Sequence, residues 1–429
     1  MNKVLATIGV MVTLGIAECY AQLSPFDENA PVGWASIGTE CTGSNNLNPV
    51  VVTNEDELRS ALQGCKGGKA SKTIYISGQF EVKEKLRYDG VKNCTIYGLP
   101  GSALYNRYHN DNADYAGFFF CQKWNNCIFR NLTLLGAGAY DISAADNMSF
   151  VTSTNIWVDH CDIQDGVDGN LDAKDDADNL TISWCKFAYY IAPWPNSESA
   201  DHRCSSMWGS SNSRDEEGKL NATFVNCWWH HGCGQRCPRI RWGSVHIADC
   251  LWENGTEEDP AQYCIGVGHG CDLYIENGDF TNTVVSDSHL KYYLTEKKVY
   301  NFTVTGCIGE PNRQEKGAGC TVDYYNPYND NKYKCRVYDA SLVASILKDP
   351  ENGAGATLDE DLLATRGNEH YGEYTPTAIK GVKAADDAQV VGIRYYNLNG
   401  AQLTAPQKGV NIMEFQMSDG TTRTNKIYK

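Results

Sequence analysis

"NIWVDHC", residues 155–161, returns along this chain, and the structure it returns as decides the fold. "NLTISWC" begins at 179, "NATFVNC" at 221 with Phe224 at the aliphatic place, and "NFTVTGC" at 301. "SVHIADC" at 244 is a weaker copy, while "NCTIYG" at 93 and "NCIFRN" at 126 share its first half. Each unit has strand-like alternation and β-rich residues bounded by Gly, Asn and Asp. Helical periodicity is scarce, and "EDELRSAL" at 55–62 is its best candidate. A fixed short strand at variable spacing predicts an all-β solenoid whose loops differ in length. A parallel β-helix meets that description, because each coil stacks its strands about 4.8 Å above the last. Cys161, Cys185, Cys227, Cys250 and Cys307 then occupy equivalent places and form an interior stack of small buried hydrophobes, a reading preferred to a disulfide framework.

The rest of the chain frames this solenoid. With 429 residues, 42% hydrophobic and 21% charged, it can bury one large core beside a smaller module. Its start reads as a secretory signal over 1–21: Lys3, then an apolar run over 4–17 too short to span a bilayer, then cleavage after Ala21. Eighteen cysteines, seventeen after that cleavage, suit an oxidising compartment. The net charge of −16 speaks against nucleic acid, but permits an anionic polymer whose binding site carries its own cations. The solenoid is assigned to 22–357 and a linker to 358–388. A small β-sandwich-like module follows at 389–429, where "IRYYNLNGAQL" and "GVNIMEFQM" alternate between turns.

The stretch "DGVDGNLDAKDD", residues 165–176, packs in five aspartates and admits three readings. Asp168, Asn170 and Asp172 imitate an EF-hand, but Ala173 stands where its Gly belongs and Asn179 where its Glu belongs. On a β-helix, Asp168 and Asp172 face one side of extended chain, and Asp146 lies 22 residues before Asp168, about one coil. Three converging carboxylates need a cation, and an oxygen-ligated ion such as Ca²⁺ fits; solvated turn aspartates are the alternative. The third reading is a carboxylate pair for glycoside hydrolysis. "KDDAD", "GVGHG" at 266–270 and "RIR" at 239–241 resemble motifs of β-helix polygalacturonases, but their order differs and the final lysine is missing.

The arginine segment separates these readings. "GQRCPRIRWGSVH", residues 234–246, resembles the Arg-x-Pro-Arg-x-Arg-aromatic-Gly-x-x-His segment of family 1 pectate lyases. "NIWVDHCDIQDGVDGNLD" followed by "NLTISWC" is similar to three further motifs of that family in the same order, and weaker matches extend the resemblance over about 30–357. It implies a right-handed parallel β-helix and calcium-dependent β-elimination of polygalacturonate. By position, Asp146, Asp168 and Asp172 correspond to calcium ligands, Arg236 to the catalytic base and Arg241 to a substrate-binding arginine. Arg239 joins the substrate-facing cations. Arg203 stands in for a lysine that family members place five residues before the Gly matching Gly209, where this chain has Cys204. The carboxyl-terminal module resembles type IX secretion sorting domains, through "YYNLNGAQL", "PQKGV" and "NKIYK".

Chemistry supports these residue types. Elimination removes the C5 proton beside a uronate, and cations on that carboxylate stabilise the charge that develops. Arginine is an awkward base because its very high pKa leaves only a small neutral fraction near neutrality, and Arg239, Arg241 and the metal are expected to push that of Arg236 down. Other residues receive plainer assignments. Trp157, Asp159 and His160 read as a buried strand with satisfied partners, and Asp165, Asp175 and Asp176 as turn and surface. "CWWHHGCGQRC" lacks the spacing of a zinc site; Cys233 and Cys237 are candidates to staple the loop beside Arg236, and the tryptophans read as core. The expectation is a secreted, monomeric bacterial pectate lyase without a membrane span, acting outside the cell on pectin's unesterified backbone. A polygalacturonase-type hydrolase and a non-catalytic binder of acidic glycans are the competing readings. Retention of all three aspartates argues against pectin lyases, which work without calcium.

Overall fold

In the computed structural model the repeats become coils. It describes residues 30–356 and 390–428, apart from breaks that fall within 47–48, 107–111, 196–200, 294–299, 310–318, 325–336, 351 and 398–421. The leader read over 1–21 and the linker read over 358–388 lie outside the described residues. One coil shows the construction: strands Thr154–Asp159, Asp162–Gln164 and Leu171–Lys174 follow one another, and Asp178–Ser183 returns beside the first. Stacked coils make three sheets of ten, seven and eight strands among the described residues, every pairing in them parallel. This is a parallel β-helix. Ile156 pairs with Leu180 and Val158 with Ile182, so apolar side chains stack directly along the interior.

Left-handed backbone explains both ends of the repeat. Asn93, Asn126, Asn155 and Asn179 have φ between 52° and 56°, a region that Asn enters more easily than most residues. The sheet ladder passes over Asn155 and Asn179, pairing Thr154 with Asp178 and then Ile156 with Leu180. The residue before each cysteine is left-handed too: His160, Trp184, Asn226 and Asp249 lie between 47° and 55°. That turn ends the first strand and aims the cysteine inward. His160 and Trp184 stack on one another at this corner, 5.5 Å apart and within 7° of parallel.

Cys161, Cys185, Cys227 and Cys250 are fully buried, as the stack requires, whereas Cys307 is only half-buried because its strand ends the sheet. All seventeen described cysteines are free thiols. Cys233 and Cys237 therefore form no staple; both are buried in the core, and the Cys237 thiol donates to the Gln235 carbonyl at 3.5 Å. Trp229 and Trp252 extend an interior aromatic ladder, Phe187–Trp229–Trp252–Phe280, with centroids 5.6, 5.3 and 4.1 Å apart. Besides the first two strands of the ten-stranded sheet, Val50–Val52 and Lys72–Ile76, one coil inside the run of copies escaped the repeat. Asp272–Glu276 sits between Ser244–Ala248 and Asn301–Thr305, but "DLYIEN" has neither the opening Asn nor the closing Cys.

The expected helix forms over Glu55–Cys65, with Asn54 accepting from the Glu57 amide at its N-terminus. Its Leu58, Ala61 and Leu62 join the solenoid core beside the first strand, Val50–Val52. A second helix, Ala340–Leu347, lies over Leu251 and Trp228. The carboxyl-terminal module is one antiparallel sheet of Val390–Asn397, Gln402–Leu403, Val410–Met417 and Thr422–Tyr428, rather than a sandwich of its own. Its Tyr395, Met413 and Phe415 pack on Leu99, Tyr75 and Tyr97, so the β-helix supplies the second layer.

Asp165 is corrected from surface to core. It is fully buried, and its Oδ1 accepts from the amides of Tyr190 and Ile191 at 2.7 and 2.9 Å. Asp175 and Asp176 stay on a turn, paired with Arg214. Asp165→Ala leaves two amide donors unmatched, that of Ile191 fully buried, and is expected to lower unfolding stability by about 2–4 kcal/mol, measured in urea. Asp175→Ala, in comparison, is expected to change it by less than about 0.5 kcal/mol.

Candidate active site

The eight-stranded sheet presents the site on its outer face. Leu171, Ala173, Trp208 and Ile240 point into the core, so the alternate positions Asp172, Lys174, Met207, Arg239 and Arg241 point outward. Register aligns Ser149 with Asp172, Met207 with Arg239, and Arg239 with Gly266. Carboxylates and guanidiniums thus share one face, a few strand spacings apart.

Met148 pairs with Leu171, which brings Asp146 level with Gly169, between Asp168 and Asp172. Gly169 matters for its missing side chain: a Cβ there would stand 2.9 Å from Asp146 Oδ1 and 3.3 Å from Asp172 Oδ1. Each carboxylate is steered by the chain. Asp146 Oδ2 accepts from Ser149 Oγ at 2.6 Å, and Asp172 Oδ1 from the Met207 amide at 2.9 Å. Asp168 accepts from the Ala144 amide at 2.6 Å and from His202 Nε2 at 3.0 Å. Asp146 Oδ1 is buried and has no hydrogen-bond partner among the described residues.

Burial, followed by the charge of Asp168, raises the pKa of Asp146. Burial and then Asp146 raise Asp172 further. Burial also works on Asp168, but the hydrogen bond and charge of His202 override it and hold this group low. Lys85 lies beside Asp146, its ammonium donating to the Ala144 carbonyl, and burial brings its pKa down to about 8. Burial opposes the charge of Lys174 as well, yet Asp146, Asp172 and Asp168 outweigh it and raise its pKa. Sequence reasoning missed Lys85 and Lys174; Lys174 could have been found as the next outward residue after Asp172.

Arg236 sits on the strand-entry side of this cluster, with Ser206 donating its amide to the Arg236 carbonyl at 2.7 Å. Its Nε is buried without a partner among the described residues. The chain's own groups act against the expectation that Arg239 and Arg241 lower its pKa. Burial does lower it, but Cys204, Tyr263, Asp172 and Asp168 prevail and it rises. Further along the face, Arg241 donates to the Gly209 carbonyl at 3.0 Å. The Arg239 guanidinium lies over the Tyr293 ring, 3.5 Å from its centroid.

Arg203 stands apart from these cations. Its guanidinium is held by Asp201 and Asp259, both at 2.6 Å, with 12% of the side chain exposed. It braces the loop before Met207–Trp208 against the loop before Ala261–Val267. Sequence reasoning also missed Asp141 and His202, whose ligand-type atoms lie with those of Asp168 within 4.8 Å of one another. Trp157, Asp159 and His160 are a satisfied structural unit: Asp159 accepts from Arg130 at 2.9 Å, His160 at 2.8 Å and Ser183 at 2.6 Å.

The donor set fits a hard cation. Asp146 and Asp172 converge on a cradle that a Cβ would fill, Asp168 adjoins it in the chain, one buried oxygen there lacks a partner among the described residues, and all three residues supply oxygen.

Three comparisons bear on this arrangement. A family model described as "Pectate lyase" matches residues 3–357. A probable pectate lyase B of Aspergillus terreus is 31% identical over 236 residues, covering 53% of this chain and 63% of that protein. Pectate lyase E of Dickeya chrysanthemi is 24% identical over 389 residues, covering 81% of this chain and 95% of that protein. A solved structure, "Pectate lyase bound to hexasaccharide", superposes with a TM-score of 0.57 at 20% identity, over 76% of this chain and 97% of that one. The superposition speaks to the fold.

Proposed function

Since the chain belongs to the pectate lyase family, we propose that it cleaves polygalacturonate by calcium-dependent β-elimination, with Asp146, Asp168 and Asp172 holding the ion and Arg236 acting as base. The observation that carries this reading is the grouping of two buried carboxylates, Asp146 and Asp172, with the half-buried Asp168, beside a half-buried arginine whose buried Nε has no partner among the described residues. When bound, Ca²⁺ neutralises the aspartates and the uronate carboxylate, and so stabilises the charge that develops at C5.

The chain's own residues supply the remaining parts. Arg241 and Arg239 offer guanidiniums to neighbouring uronates along the outer face. Arg236 takes the C5 proton, the C5–H electrons become the C4–C5 double bond, and the C4–O4 bond breaks. The departing oxygen takes a proton from water, leaving one 4,5-unsaturated oligogalacturonide and one ordinary end. Fragment mass spectrometry tests this step directly. Elimination conserves total mass, whereas hydrolysis adds the elements of water to each cut. Fragments that all carry added water would overturn the lyase reading.

The base must be neutral to work, and the pKa of Arg236 lies above the ordinary arginine value. Its neutral fraction therefore grows as pH rises, and turnover is expected to climb by up to about tenfold per pH unit from neutral into the alkaline range. A bell-shaped profile centred below neutrality would contradict Arg236 as base. The same reading has the enzyme work as a monomer outside a bacterial cell; the leader read over 1–21 and the resemblance of the carboxyl-terminal sheet to sorting domains support the location.

A further inference from the structure

We propose that His202, braced by Asp141, is a positioning residue for Asp168, so that one imidazole ties three loops together and sets the cation-binding carboxylate that no strand supports. The inference rests on the calcium reading above.

Asp172 lies within a strand, and Asp146 two residues before one. Asp168 sits in the connection between Asp162–Gln164 and Leu171–Lys174, where no sheet ladder fixes it. Its neighbours occupy the same connection on adjacent coils. Asp141 lies between Thr133–Leu135 and Met148–Val151, and His202 between Lys186–Ala188 and Met207–Trp208. His202 is buried, and both its ring nitrogens are engaged: Nε2 is 3.0 Å from Asp168 Oδ1, and Nδ1 is 3.4 Å from Asp141 Oδ1. Asp141 is held in turn by Ser199 Oγ. This is the arrangement in which an outer carboxylate fixes an imidazole, and the imidazole fixes a ligand.

With one hydrogen bond on each oxygen, from His202 and from the Ala144 amide, Asp168 cannot rotate freely. Each oxygen still keeps a lone pair for a cation. Removing His202 frees the carboxylate and detaches the loop that carries it. Removing Asp141 leaves the imidazole unbraced, with the same consequence for Asp168.

The test is Ca²⁺ titration calorimetry without substrate, together with the melting-temperature gain that Ca²⁺ gives the full chain. His202→Ala and Asp141→Ala are each expected to weaken Ca²⁺ binding by about 10- to 100-fold and to shrink that gain. The double variant is expected to be no weaker than His202→Ala alone, because both substitutions cut one relay. His202→Gln, which keeps a donor facing Asp168, is expected to recover most of the affinity. Unchanged affinity in His202→Ala, with melting lowered equally in Ca²⁺ and in chelator, would make the role structural and overturn the proposal. Normal affinity in Asp141→Ala would overturn the relay. Wild-type chain that binds no Ca²⁺ would instead overturn the calcium reading on which the proposal stands.

Discussion

Arg236→Lys is expected to lower turnover on polygalacturonate by about 10²- to 10⁴-fold while leaving Ca²⁺ affinity within a few-fold of wild type. Lysine keeps the positive charge but is shorter and loses the planar fork, so it cannot bring a nitrogen to the same place. The separation between rate and binding is the informative part. Arg236 does not supply an oxygen ligand, and its effect on the aspartates is electrostatic, which lysine largely preserves. A variant that turns over at the wild-type rate would remove Arg236 from the chemistry. Loss of Ca²⁺ affinity in parallel with rate would show that it serves the cation site.

Asp172→Asn is expected to weaken Ca²⁺ binding by at least about 100-fold and to reduce activity at limiting Ca²⁺ correspondingly. Stability should move in the opposite direction once Ca²⁺ is chelated. Burial, and then the charge of Asp146, raises the pKa of Asp172 above its unfolded value. A group raised in this way contributes stability at acid pH that is lost as pH rises through its folded pKa. At neutral pH its ionised form therefore works against the fold, and asparagine removes that cost. The chelated variant is expected to melt above chelated wild type, and to gain almost nothing from added Ca²⁺. If both proteins gained equally from Ca²⁺, the ion would bind elsewhere.

Much of the fold was legible because a β-helix forces its demands onto particular positions. Asn155 and Asn179 recur because the strand needs a left-handed residue there, and Cys185 or Cys227 follows because a small apolar group fits under the corner. The coil Asp272–Glu276 satisfied the same geometry with other residues, so a pattern of identities passed over it. Within the site, the pairing of Asp146 with the turn around Gly169 was readable as one coil of sequence. Asp165 misled because spacing reports charge but not depth. Its two amide donors come from Tyr190 and Ile191, one coil away.

Arg203 and His202 show the other limit. Both lie in one loop, where no periodicity states the direction of a side chain. Arg203 turns to Asp201 and Asp259, whereas His202 turns to Asp168. The pKa of Arg236 was misjudged for a related reason. Arg239 and Arg241 are near in sequence, but Cys204, Tyr263, Asp172 and Asp168 reach it from other coils and together prevail. Sheet stacking decided the balance.

The central claim is calcium-dependent elimination, and ultraviolet absorbance of the unsaturated product tests it most directly. Polygalacturonate is incubated with the full chain in Ca²⁺, then in chelator, then with Ca²⁺ restored. Absorbance is expected to rise, stop on chelation and resume on restoration. New reducing ends without absorbance, or absorbance that continues unchanged in chelator, would contradict the account.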